Sequence, residues 1–476
     1  MAYATVNPAT GEQVRVFPEI ADADLLDALE AADICYRNDW SLRSTKERAK
    51  VVAGAAAHMR ANIEEYAALS TLEMGKPISQ SHWEVGLSAD ILDYYARNAE
   101  AFLEPRRIAE AQDGIVKMLP IGVILAVEPW NFPYYQAVRV IGPQLMVGNV
   151  MMLKHAPNVP QCALALVRAL EAGGAPAGAY TNIFASNEQI SMLIDDRRIQ
   201  GVTVTGGEAA GAAVAQRAGR ALKKSVMELG GSDPFIVLED APLEVTLDNA
   251  LLGRLFNAGQ SCVSSKRFIV VSRDRGTAFL KGLVARMGAV TPGDPMNPQT
   301  LLGPVSSERA LNGLLQQIES ARMAGARIVL GGRRVDRPGF YLEPTIITDI
   351  DAKNPLFSQE TFGPVASVYV VDDEDEAVAL ANATPFGLSS AVFSGDVNRA
   401  RRIADRIDSG MVFINQPTVS LPELPFGGIK NSGYGRELSE LGFGEFTNRK
   451  LINVFPAGSP ATAPTATRQS RARYAV

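Results

Sequence analysis

From residue 115 to residue 415 the sequence alternates between short apolar runs rich in β-branched residues and longer segments with helical periodicity. Strands that alternate with helices in this way form parallel β-α-β units, whose sheets are buried on both faces. The strand-like runs are IGVILAV, NVMML, GVTVT, KKSVMEL and PFIVL in a first block, and RFIVV, RIVLGG, ASVYVV, SAVFS and GMVFIN in a second. Because there are two successive blocks, we predict two α/β domains.

Helices are predicted between these runs and before them. Residues 22–104 place apolar side chains at steps of three and four, which predicts a mostly helical segment. The helices predicted in the two blocks are 134–147, 160–172, 208–221, 242–257, 277–288, 306–324, 374–383 and 396–407. The tail 456–476 is rich in proline, alanine and threonine, so we expect it to be disordered.

The bulk properties disfavour several kinds of partner. Of the 476 residues, 47% are hydrophobic, enough for sizeable cores, and the formal net charge is −6. No basic stripe interleaved with aromatic residues occurs, so we expect no nucleic-acid partner. The apolar runs are short, and the N-terminus lacks a charged region followed by an apolar one. We therefore expect no membrane span, no signal peptide and a cytoplasmic location.

Cysteine and histidine are scarce, which narrows the chemistry. The three cysteines include no C-x-x-C pair, and the three histidines form no H-E-x-x-H motif. We therefore expect neither a disulfide framework nor a metal site. A serine hydrolase is also disfavoured, because the sequence has no G-x-S-x-G motif.

One cysteine lies in unusual surroundings. Cys262 occurs in NAGQSCVSSKRF, among small and polar residues, whereas Cys35 and Cys162 lie in helical apolar patterns typical of a core. The neighbouring Lys266 and Arg267 could favour the thiolate, which is the nucleophilic form of the side chain. Taken alone, Cys262 also fits an inert buried thiol.

Polar residues follow other predicted strands, where α/β proteins place their ligand-binding loops. Glu228, in MELGGSDP, would have a raised pKa in apolar surroundings and could act as a general base. Asn131, in PWNFP, could donate to an oxyanion, and Lys154, in LKHAPN, could hold a phosphate or a ribose. The alternatives are a capping carboxylate, a turn asparagine and a solvated lysine.

A glycine pair gives a weaker indication of an anion site. VTVTGGEAAG reads as a strand, then Gly206 and Gly207, then a helix, an arrangement that offers free backbone N–H groups. It does not match the G-x-G-x-x-G pattern of dinucleotide-binding loops.

Together the motifs are far more specific than any one of them. PWNFP, LK-x-x-P, VTGG, ELGGSDPFIV, NAGQSC, ETFGPV and PFGGIKNSGYGRE occur in the order and spacing of the aldehyde dehydrogenase superfamily. The resemblance runs from about Asn7 to about Val454. Within the superfamily, NVMMLKHAPNVPQ, VMELGGSDPFIVLEDA and SSKRFIV are most similar to the bacterial succinate-semialdehyde dehydrogenases.

The resemblance implies an α/β fold with a Rossmann-type cofactor domain, an α/β catalytic domain and a β oligomerisation arm. The implied boundaries are 1–104 and 122–229 for the cofactor domain, 230–425 for the catalytic domain, and 105–121 and 426–455 for the arm. Residues 446–455 resemble a strand that pairs with a neighbouring subunit's sheet. A homodimer or a dimer of dimers is therefore expected.

The resemblance also implies a reaction, the oxidation of succinate semialdehyde to succinate with NAD(P)+. Cys262 would add to the aldehyde and carry a thiohemiacetal and then a thioester. Asn131 and the Cys262 backbone N–H would stabilise the oxyanion. Glu228 would activate the water that hydrolyses the thioester.

Positions that resemble cofactor contacts lie around the same strand ends. They are Trp130, Lys154, His155, Ala156, Pro157, Gly206, Gly207, Leu229, Glu360 and Phe362. Glu360 matches the carboxylate that holds the nicotinamide ribose, and Phe362 a ring beside the nicotinamide. Pro157 stands where many NAD-specific relatives carry a carboxylate that repels a 2′-phosphate. We therefore predict that NADP is accepted and preferred, with NAD possible as a second cofactor.

The substrate contacts are predicted from spacing. Asn131, Tyr135 and Arg139 lie four residues apart, so a helix starting near Asn131 would align them on one face. Arg139 would then bind the distal carboxylate of succinate semialdehyde, with help from Tyr135 and from Ser420 in the loop QPTVSLPEL. The alternative is that Arg139 pairs with a structural aspartate or glutamate, and the sequence favours neither interpretation.

Three other functions stay open at this point. The chain could oxidise another aldehyde: glutarate semialdehyde, or an aliphatic or aromatic one. It could be a thiol acyltransferase, which Glu228 disfavours because a general base suits water as the acceptor. It could bind nucleotides without catalysis, which the joint presence of Cys262, Glu228, Asn131 and Glu360 disfavours.

Overall fold

Helices and strands alternate along the computed structural model, which describes residues 3–111 and 113–458. The helices are α1 (Asp22–Asn38), α2 (Thr45–Ala61), α3 (Ile63–Met74), α4 (Ile78–Phe102), α5 (Pro133–Val147), α6 (Pro160–Ala172), α7 (Asn187–Asp195), α8 (Glu208–Arg220), α9 (Leu243–Leu255), α10 (Arg273–Gly288), α11 (Glu308–Met323), α12 (Glu374–Asn382) and α13 (Val397–Ala404). The strands are β1 (Tyr3–Val6), β2 (Gln13–Phe17), β3 (Arg106–Ile108), β4 (Gly114–Pro120), β5 (Val123–Glu128), β6 (Val150–His155), β7 (Tyr180–Asn182), β8 (Ile199–Thr205), β9 (Lys224–Glu228), β10 (Asp233–Val237), β11 (Ser265–Val271), β12 (Arg327–Leu330), β13 (Thr345–Thr348), β14 (Val365–Val371), β15 (Phe386–Gly387), β16 (Ser389–Phe393), β17 (Met411–Ile414), β18 (Ile429–Lys430), β19 (Gly433–Tyr434) and β20 (Thr447–Asn453). Most of the predicted disordered tail, residues 459–476, lies outside the described residues.

Several helix starts follow from local chemistry. Helices α5 and α6 begin at Pro133 and Pro160, because proline fits the first helical turn, where its missing N–H needs no partner. Helix α7 begins with a capping box in which Ser186 and Gln189 exchange side-chain-to-backbone hydrogen bonds. These local signals lie at the ends of the apolar runs, and they set where the chain leaves each strand.

A six-stranded sheet positions most of the predicted site. Its order is β19-β9-β8-β5-β6-β7, and its strands are parallel except that β19 is antiparallel to β9. The chain leaves β5 toward β6 and β7, and then continues with β8 and β9 on the other side of β5. Such a reversal of strand order opens a crevice at the carboxyl ends of the strands, where α/β proteins bind ligands.

A seven-stranded sheet forms the second α/β unit. Its order is β12-β13-β14-β11-β10-β16-β17, with β12 antiparallel and the rest parallel. Alternate residues of its strands enter two cores: Ile236 and Ile269 belong to one, and Phe235 and Phe268 to the other. Burial on both faces explains why its strands read as continuous apolar runs.

A third sheet of three antiparallel strands has the order β20-β4-β3. Its strands come from the two ranges that the sequence assigned to the arm. Strand β19 also lies within 426–455, yet it pairs with β9 of the six-stranded sheet and places Gly433 opposite Glu228. Strand β18 of the same range pairs with β15 in a small two-stranded sheet, so this range contributes to three sheets.

The α/β class and the parallel sheets predicted from the alternation are confirmed. Helices 134–147, 160–172 and 208–221 are observed within one residue of their predicted ends. The short strands β7 and β13 were not predicted, because three or four residues carry too little pattern to be distinguished from a loop. Within the described residues, no helix is both long and apolar enough to span a bilayer.

Candidate active site

Three distant segments meet at one cavity of about 250 Å³ beside the carboxyl ends of β5, β8 and β9, which we call the inner cavity. It is lined by Pro129, Trp130, Asn131, Gln136, Thr205, Gly206, Gly207, Glu228, Leu229, Gly230, Cys262, Glu360 and Phe362. The structure thus brings Cys262, Asn131 and Glu228 together, although up to 131 residues separate them in sequence (131 to 262). The same cavity is lined by six of the ten residues predicted to contact a cofactor.

A second cavity of about 300 Å³, the mouth cavity, adjoins the first at Cys262 and Gln136. Its wall is mostly aromatic and aliphatic. It is lined by Trp83, Phe132, Tyr135, Gln136, Leu252, Gly253, Phe256, Ser261, Cys262, Val263, Ser264, Pro417, Thr418, Val419, Ser420 and Phe426. Cys262 therefore stands between two compartments, one at the strand ends and one lined by the aromatic and aliphatic side chains of the mouth cavity.

The turn before Cys262 has an uncommon backbone. Asn257 and Ala258 have φ angles of 54° and 53°, in the left-handed region that residues with a Cβ seldom adopt. The Asn257 amide holds this turn, because its Nδ2 donates to the carbonyl oxygens of Asn131 (2.8 Å) and Gln260 (3.1 Å). The loop that carries Cys262 is thus tied to the PWNFP loop.

The side chain of Asn131 is fixed from both ends. Its Oδ1 accepts from Gln136 Nε2 at 3.1 Å, and its Nδ2 donates to the Gln260 carbonyl at 3.2 Å. An amide nitrogen carries two hydrogens, so one remains for a ligand in the inner cavity. Asn131 precedes α5, whose first residue is Pro133, so it does not share the helix face of Tyr135 and Arg139 as the spacing predicted.

Glu228 is 1% exposed, and neither of its carboxyl oxygens accepts a hydrogen bond from a described residue. Burial raises its pKa well above the usual range; Glu437 raises it further, and Arg139 opposes the shift. A Cβ at residue 427 would come within 2.7 Å of Glu228 Oε1, so Gly427 leaves the space that the carboxyl group occupies. A carboxyl group without partners, facing a cavity, suits a general base.

Burial also raises the pKa of the Cys262 thiol to about 12, against the pull of Arg139 and Lys266 toward the thiolate. The expected help from Arg267 is wrong, because that guanidinium donates to the carbonyls of Ser232, Leu380 and Ala381. In this state the thiol is therefore held protonated.

Arg139 is fully buried and forms an ion pair with Glu437, Nε to Oε2 at 2.8 Å. Its guanidinium lies 4.3 Å from the ring centroid of Phe426 and 4.9 Å from that of Tyr135, and it also donates to Thr205. The structure thus shows the pairing with a structural glutamate that the sequence left open. Arg139 is absent from the described lining of the mouth cavity.

Tyr135 and Ser420 lie where the prediction placed them. Both line the mouth cavity, and the Tyr135 hydroxyl contacts Ser420 Oγ at 2.8 Å. They present two hydroxyl groups to the cavity, with the buried charge of Arg139 behind the tyrosine.

The predicted cofactor residues at the carboxyl end of β6 lie outside the inner cavity, unlike those at the ends of β5, β8 and β9. The His155 ring is fully buried: its Nε2 contacts the Pro133 carbonyl at 2.7 Å, and its Nδ1 accepts from the Ala156 N–H at 2.9 Å. Burial lowers its pKa to about 4, so the ring is neutral. The His155 side chain therefore holds the start of α5. Neither this ring nor Lys154, Ala156 or Pro157 is in the described lining of the inner cavity.

The inner cavity fits part of a dinucleotide, from a phosphate group to the neighbouring ribose. Gly207 is the N-cap of α8 without a side-chain cap, and a Cβ added there would meet nothing within 4 Å, so the first-turn N–H groups are open to an anion. On the opposite wall, Phe362 meets Trp130 edge to face at 5.7 Å, and Glu360 accepts from the Gly231 N–H at 3.2 Å. The donors suit a pyrophosphate, and the carboxylate suits ribose hydroxyls.

Several residues of the site were not singled out from the sequence. Gln136 orients Asn131 and lines both cavities, and Glu437 neutralises Arg139. Trp83 and Phe256 form part of the mouth cavity. Glu437 belongs to the quoted GYGRE motif, but Trp83 lies in a helix whose pattern gives no sign that it reaches this opening.

The reversal of strand order, the open helix start and the thiol define an oxidoreductase that binds a dinucleotide beside a cysteine. Residues 1–452 match the aldehyde dehydrogenase family, and the chain belongs to that family. The sequence-based prediction of the superfamily is thereby confirmed.

Similar proteins support the finer resemblance. The chain is 49% identical over 455 residues to the NADP(+) succinate-semialdehyde dehydrogenase of Deinococcus radiodurans, which covers 95% of each protein. It is 46% identical over 456 residues to NADP(+) succinate-semialdehyde dehydrogenase 1 of Mycobacterium tuberculosis, 95% of this chain and 99% of that protein. A solved structure of the Streptococcus pyogenes succinic semialdehyde dehydrogenase with NADP+ superposes with a TM-score of 0.93 at 44% identity, covering 95% of this chain and all of that one (100%).

Proposed function

We propose that the protein oxidises succinate semialdehyde to succinate, with NADP+ as the preferred hydride acceptor. The observation that carries this proposal is the convergence of Cys262, Asn131 and Glu228 on the inner cavity, between the dinucleotide-type crevice and the mouth cavity. Relatives named as NADP(+) succinate-semialdehyde dehydrogenases support the choice of aldehyde and cofactor.

The reaction begins at the sulfur. The Cys262 thiol first gives up its proton to water. The thiolate then adds to the aldehyde carbon, and the carbonyl oxygen becomes an alkoxide that accepts from the free hydrogen of Asn131 Nδ2. The bound cofactor supplies an acceptor for the hydride that leaves this carbon, and a thioester remains on Cys262. Trp130 and Phe362 enclose the inner cavity around that carbon and limit the access of water.

Glu228 completes the cycle. Its carboxylate removes a proton from a water molecule, the water oxygen attacks the thioester carbon, and the carbon–sulfur bond breaks to give the carboxylic acid and the Cys262 thiolate. Because Glu228 has no hydrogen-bond partner among the described residues, its oxygens are available to the water.

The distal carboxylate of the substrate is bound by hydroxyl groups. Tyr135 and Ser420 line the mouth cavity and contact each other, so a carboxylate placed between them accepts from both. Arg139 contributes its field from behind Tyr135, while its direct partner stays Glu437. This arrangement takes the place of the direct contact with Arg139, which was one of the two interpretations that the sequence left open.

Variants of the two hydroxyl residues test this recognition. Tyr135→Phe and Ser420→Ala should each raise the KM for succinate semialdehyde about tenfold and leave the KM for butanal within about twofold, because hydrogen bonds to a charged group contribute about 1.5–3 kcal/mol. Initial rates with both aldehydes at saturating NADP+ give the comparison. Equal effects on the two substrates would remove the carboxylate role.

A second candidate function is the oxidation of an uncharged aliphatic or aromatic aldehyde. It is favoured by the mouth cavity, whose described lining holds aromatic rings and no cationic side chain. The kcat/KM values for succinate semialdehyde, glutarate semialdehyde, butanal and benzaldehyde, each with NADP+ and NAD+, separate the two. A higher value for butanal or benzaldehyde than for the acidic aldehydes would select the second candidate.

The proposal extends to the organisation of the chain. The six-stranded sheet would belong to a cofactor domain (1–104 and 122–229), the seven-stranded sheet to a catalytic domain (230–425), and the β20-β4-β3 sheet to an oligomerisation arm. Lys154 and Pro157, at the carboxyl end of β6, would face the adenosine 2′-phosphate. The enzyme would work in the cytoplasm as a homodimer or a dimer of dimers, as its sequence suggests.

A further inference from the structure

Lys266 is a buried cation beside the nucleophile that the reaction above does not use. Its side chain is 1% exposed at the start of β11. The ammonium group donates to the carbonyl oxygens of Ser261 at 3.0 Å and Cys262 at 2.7 Å. It also forms an ion pair with Glu360 Oε1 at 3.0 Å. An ammonium group has three hydrogens, and these three oxygens account for all of them.

The ion pair fixes which oxygen of Glu360 faces the inner cavity. Oε1 accepts from both Lys266 and the Gly231 N–H. Oε2 lies against residue 230, where an added Cβ would come within 2.4 Å of it, so the glycine there gives that oxygen its place. Glu360 and Gly230 both line the inner cavity. With Oε1 occupied by protein donors, Oε2 is the oxygen left for a ligand hydroxyl.

The same ammonium group also holds the loop that carries Cys262, through two backbone carbonyl groups. The Ser261 and Cys262 carbonyl oxygens both accept from Lys266. These two hydrogen bonds fix the orientation of the peptide groups before and after the Cys262 Cα. A second buried acid, Asp233, lies close enough to Lys266 for the lysine charge to lower its pKa, although burial raises that pKa to about 8 overall. Lys266 is therefore the cation of a buried polar group that includes Glu360 and Asp233 and adjoins the Cys262 carbonyl.

We propose that Lys266 is a positioning residue that joins the cofactor's ribose site to the catalytic thiol, by holding Glu360 and the Cys262 loop with one ammonium group. This inference rests on the proposed function for the identity of the cofactor. Its consequence is that the distance between the ribose-binding oxygen and the sulfur is set by one side chain, so removal of the charge disturbs cofactor binding and turnover together.

A double-mutant cycle on NADP+ affinity tests whether Lys266 acts on cofactor binding through Glu360. Lys266→Met and Glu360→Gln should each weaken NADP+ binding about tenfold, and the double variant should be no more than about threefold weaker than either single one. Quenching of tryptophan fluorescence by NADP+ gives the dissociation constants without any aldehyde. Additive losses, about a hundredfold in the double variant, would overturn the inference, because Lys266 would then act independently of Glu360.

The turnover rate tests whether Lys266 also acts on the loop that carries Cys262. At saturating NADP+, Lys266→Met should lower kcat at least fivefold, because the Cys262 carbonyl has lost its donor. Unchanged kcat would refute the link to the thiol. Lys224→Met is the matched control. The Lys224 ammonium group donates to the Thr447 carbonyl at 2.7 Å, and Lys224 lies at the opposite end of β9 from Glu228. In this variant the dissociation constant for NADP+ and kcat should both stay at their wild-type values.

A substitute variant and the behaviour of the wild-type protein keep the inference testable and separate from the proposed function. If Lys266→Met does not fold, as judged by circular dichroism, Lys266→Gln takes its place in the same cycle, since it keeps donors for the carbonyls without the charge. Wild-type protein that binds NADP+ but does not oxidise succinate semialdehyde would refute the proposed substrate and leave the cycle valid. Wild-type protein that binds neither NADP+ nor NAD+ would overturn both.

Discussion

At the scale of single residues, Cys262 and Glu228 share one property: the proposed reaction uses the charged form of each, and each lies where burial disfavours charge. The sequence indicated both residues through their loop positions and their motifs. It also indicated the raised pKa of Glu228 and the pull of Lys266 on Cys262. It did not indicate the part of Arg139, which lies in α5 and opposes the effect of burial on the pKa at both residues.

The pKa of Cys262 predicts how its alkylation depends on pH. With the pKa raised to about 12, the thiolate fraction in the cofactor-free enzyme rises about tenfold for each pH unit throughout the neutral range. The second-order rate constant for iodoacetamide, followed by loss of activity, should therefore climb with a slope near one from pH 7 to pH 10. A plateau beginning below pH 9 would show that the thiolate is already stabilised without the cofactor.

Replacement of the proposed base should separate the two halves of the reaction. Glu228→Gln keeps the shape of the side chain but cannot accept a proton, so hydrolysis of the thioester should slow by about 10²–10⁴. Stopped-flow absorbance should then show a rapid burst of one NADPH per active site before slow turnover.

The matched control for that variant is Glu128→Gln. Glu128 is also buried, without hydrogen-bond partners among the described residues. Its charge contributes to the raised pKa of Glu228, but the side chain is absent from the described lining of the inner cavity and cannot reach the water. Its kcat should stay within about threefold of the wild-type value. A Glu228→Gln enzyme without a burst would place the slowed step before the thioester.

At the scale of helices and strands, long apolar patterns were predictive and short pairings were not. The parallel strands and the helices between them follow from periodicity, because both faces of each sheet are buried. The antiparallel pairing of β19 with β9 has no such signal, since it involves two residues and depends on a glycine. Yet it is this pairing that places a backbone strand beside Glu228.

Gly433 should be intolerant of any side chain. It has a φ of 106°, and an added Cβ would lie 1.9 Å from the Met227 carbonyl oxygen. Gly433→Ala should therefore separate β19 from β9, destabilise the protein by more than about 2 kcal/mol and lower kcat, because Glu228 loses its neighbour in the sheet. Urea unfolding and steady-state rates measure both effects.

Gly219→Ala provides the comparison within a helix. Gly219 lies in α8, and an added Cβ would meet nothing within 4 Å, so alanine should be neutral or stabilise by about 0.5–1 kcal/mol. If Gly433→Ala retained wild-type stability and kcat, the β19 pairing would have no part in holding Glu228.

At the scale of the whole molecule, the sheet β20-β4-β3 leaves several apolar side chains exposed at the C-terminal end of β20. Strand β20 has one edge paired with β4 and the other at the end of the sheet, and Leu451 is 60% exposed on it. Val454 and Phe455, just beyond, are 53% and 64% exposed. An open strand edge with exposed apolar side chains at its C-terminal end invites pairing with another chain. Strand β17, at the edge of the seven-stranded sheet, offers a place for such pairing in a second copy.

Interruption of this surface should therefore change the mass of the particle. We expect light scattering after size exclusion to give a multiple of the 51.0 kDa chain for the wild type, and a smaller species for the double variant Leu451→Arg with Phe455→Ser, because a charge on β20 opposes burial against a partner. Met323→Arg is the control: Met323 is 73% exposed at the end of α11, outside the arm, so its replacement should leave the mass unchanged. A monomeric wild type at micromolar concentration, or a double variant of unchanged mass, would show that the open edge of β20 is not the assembly surface.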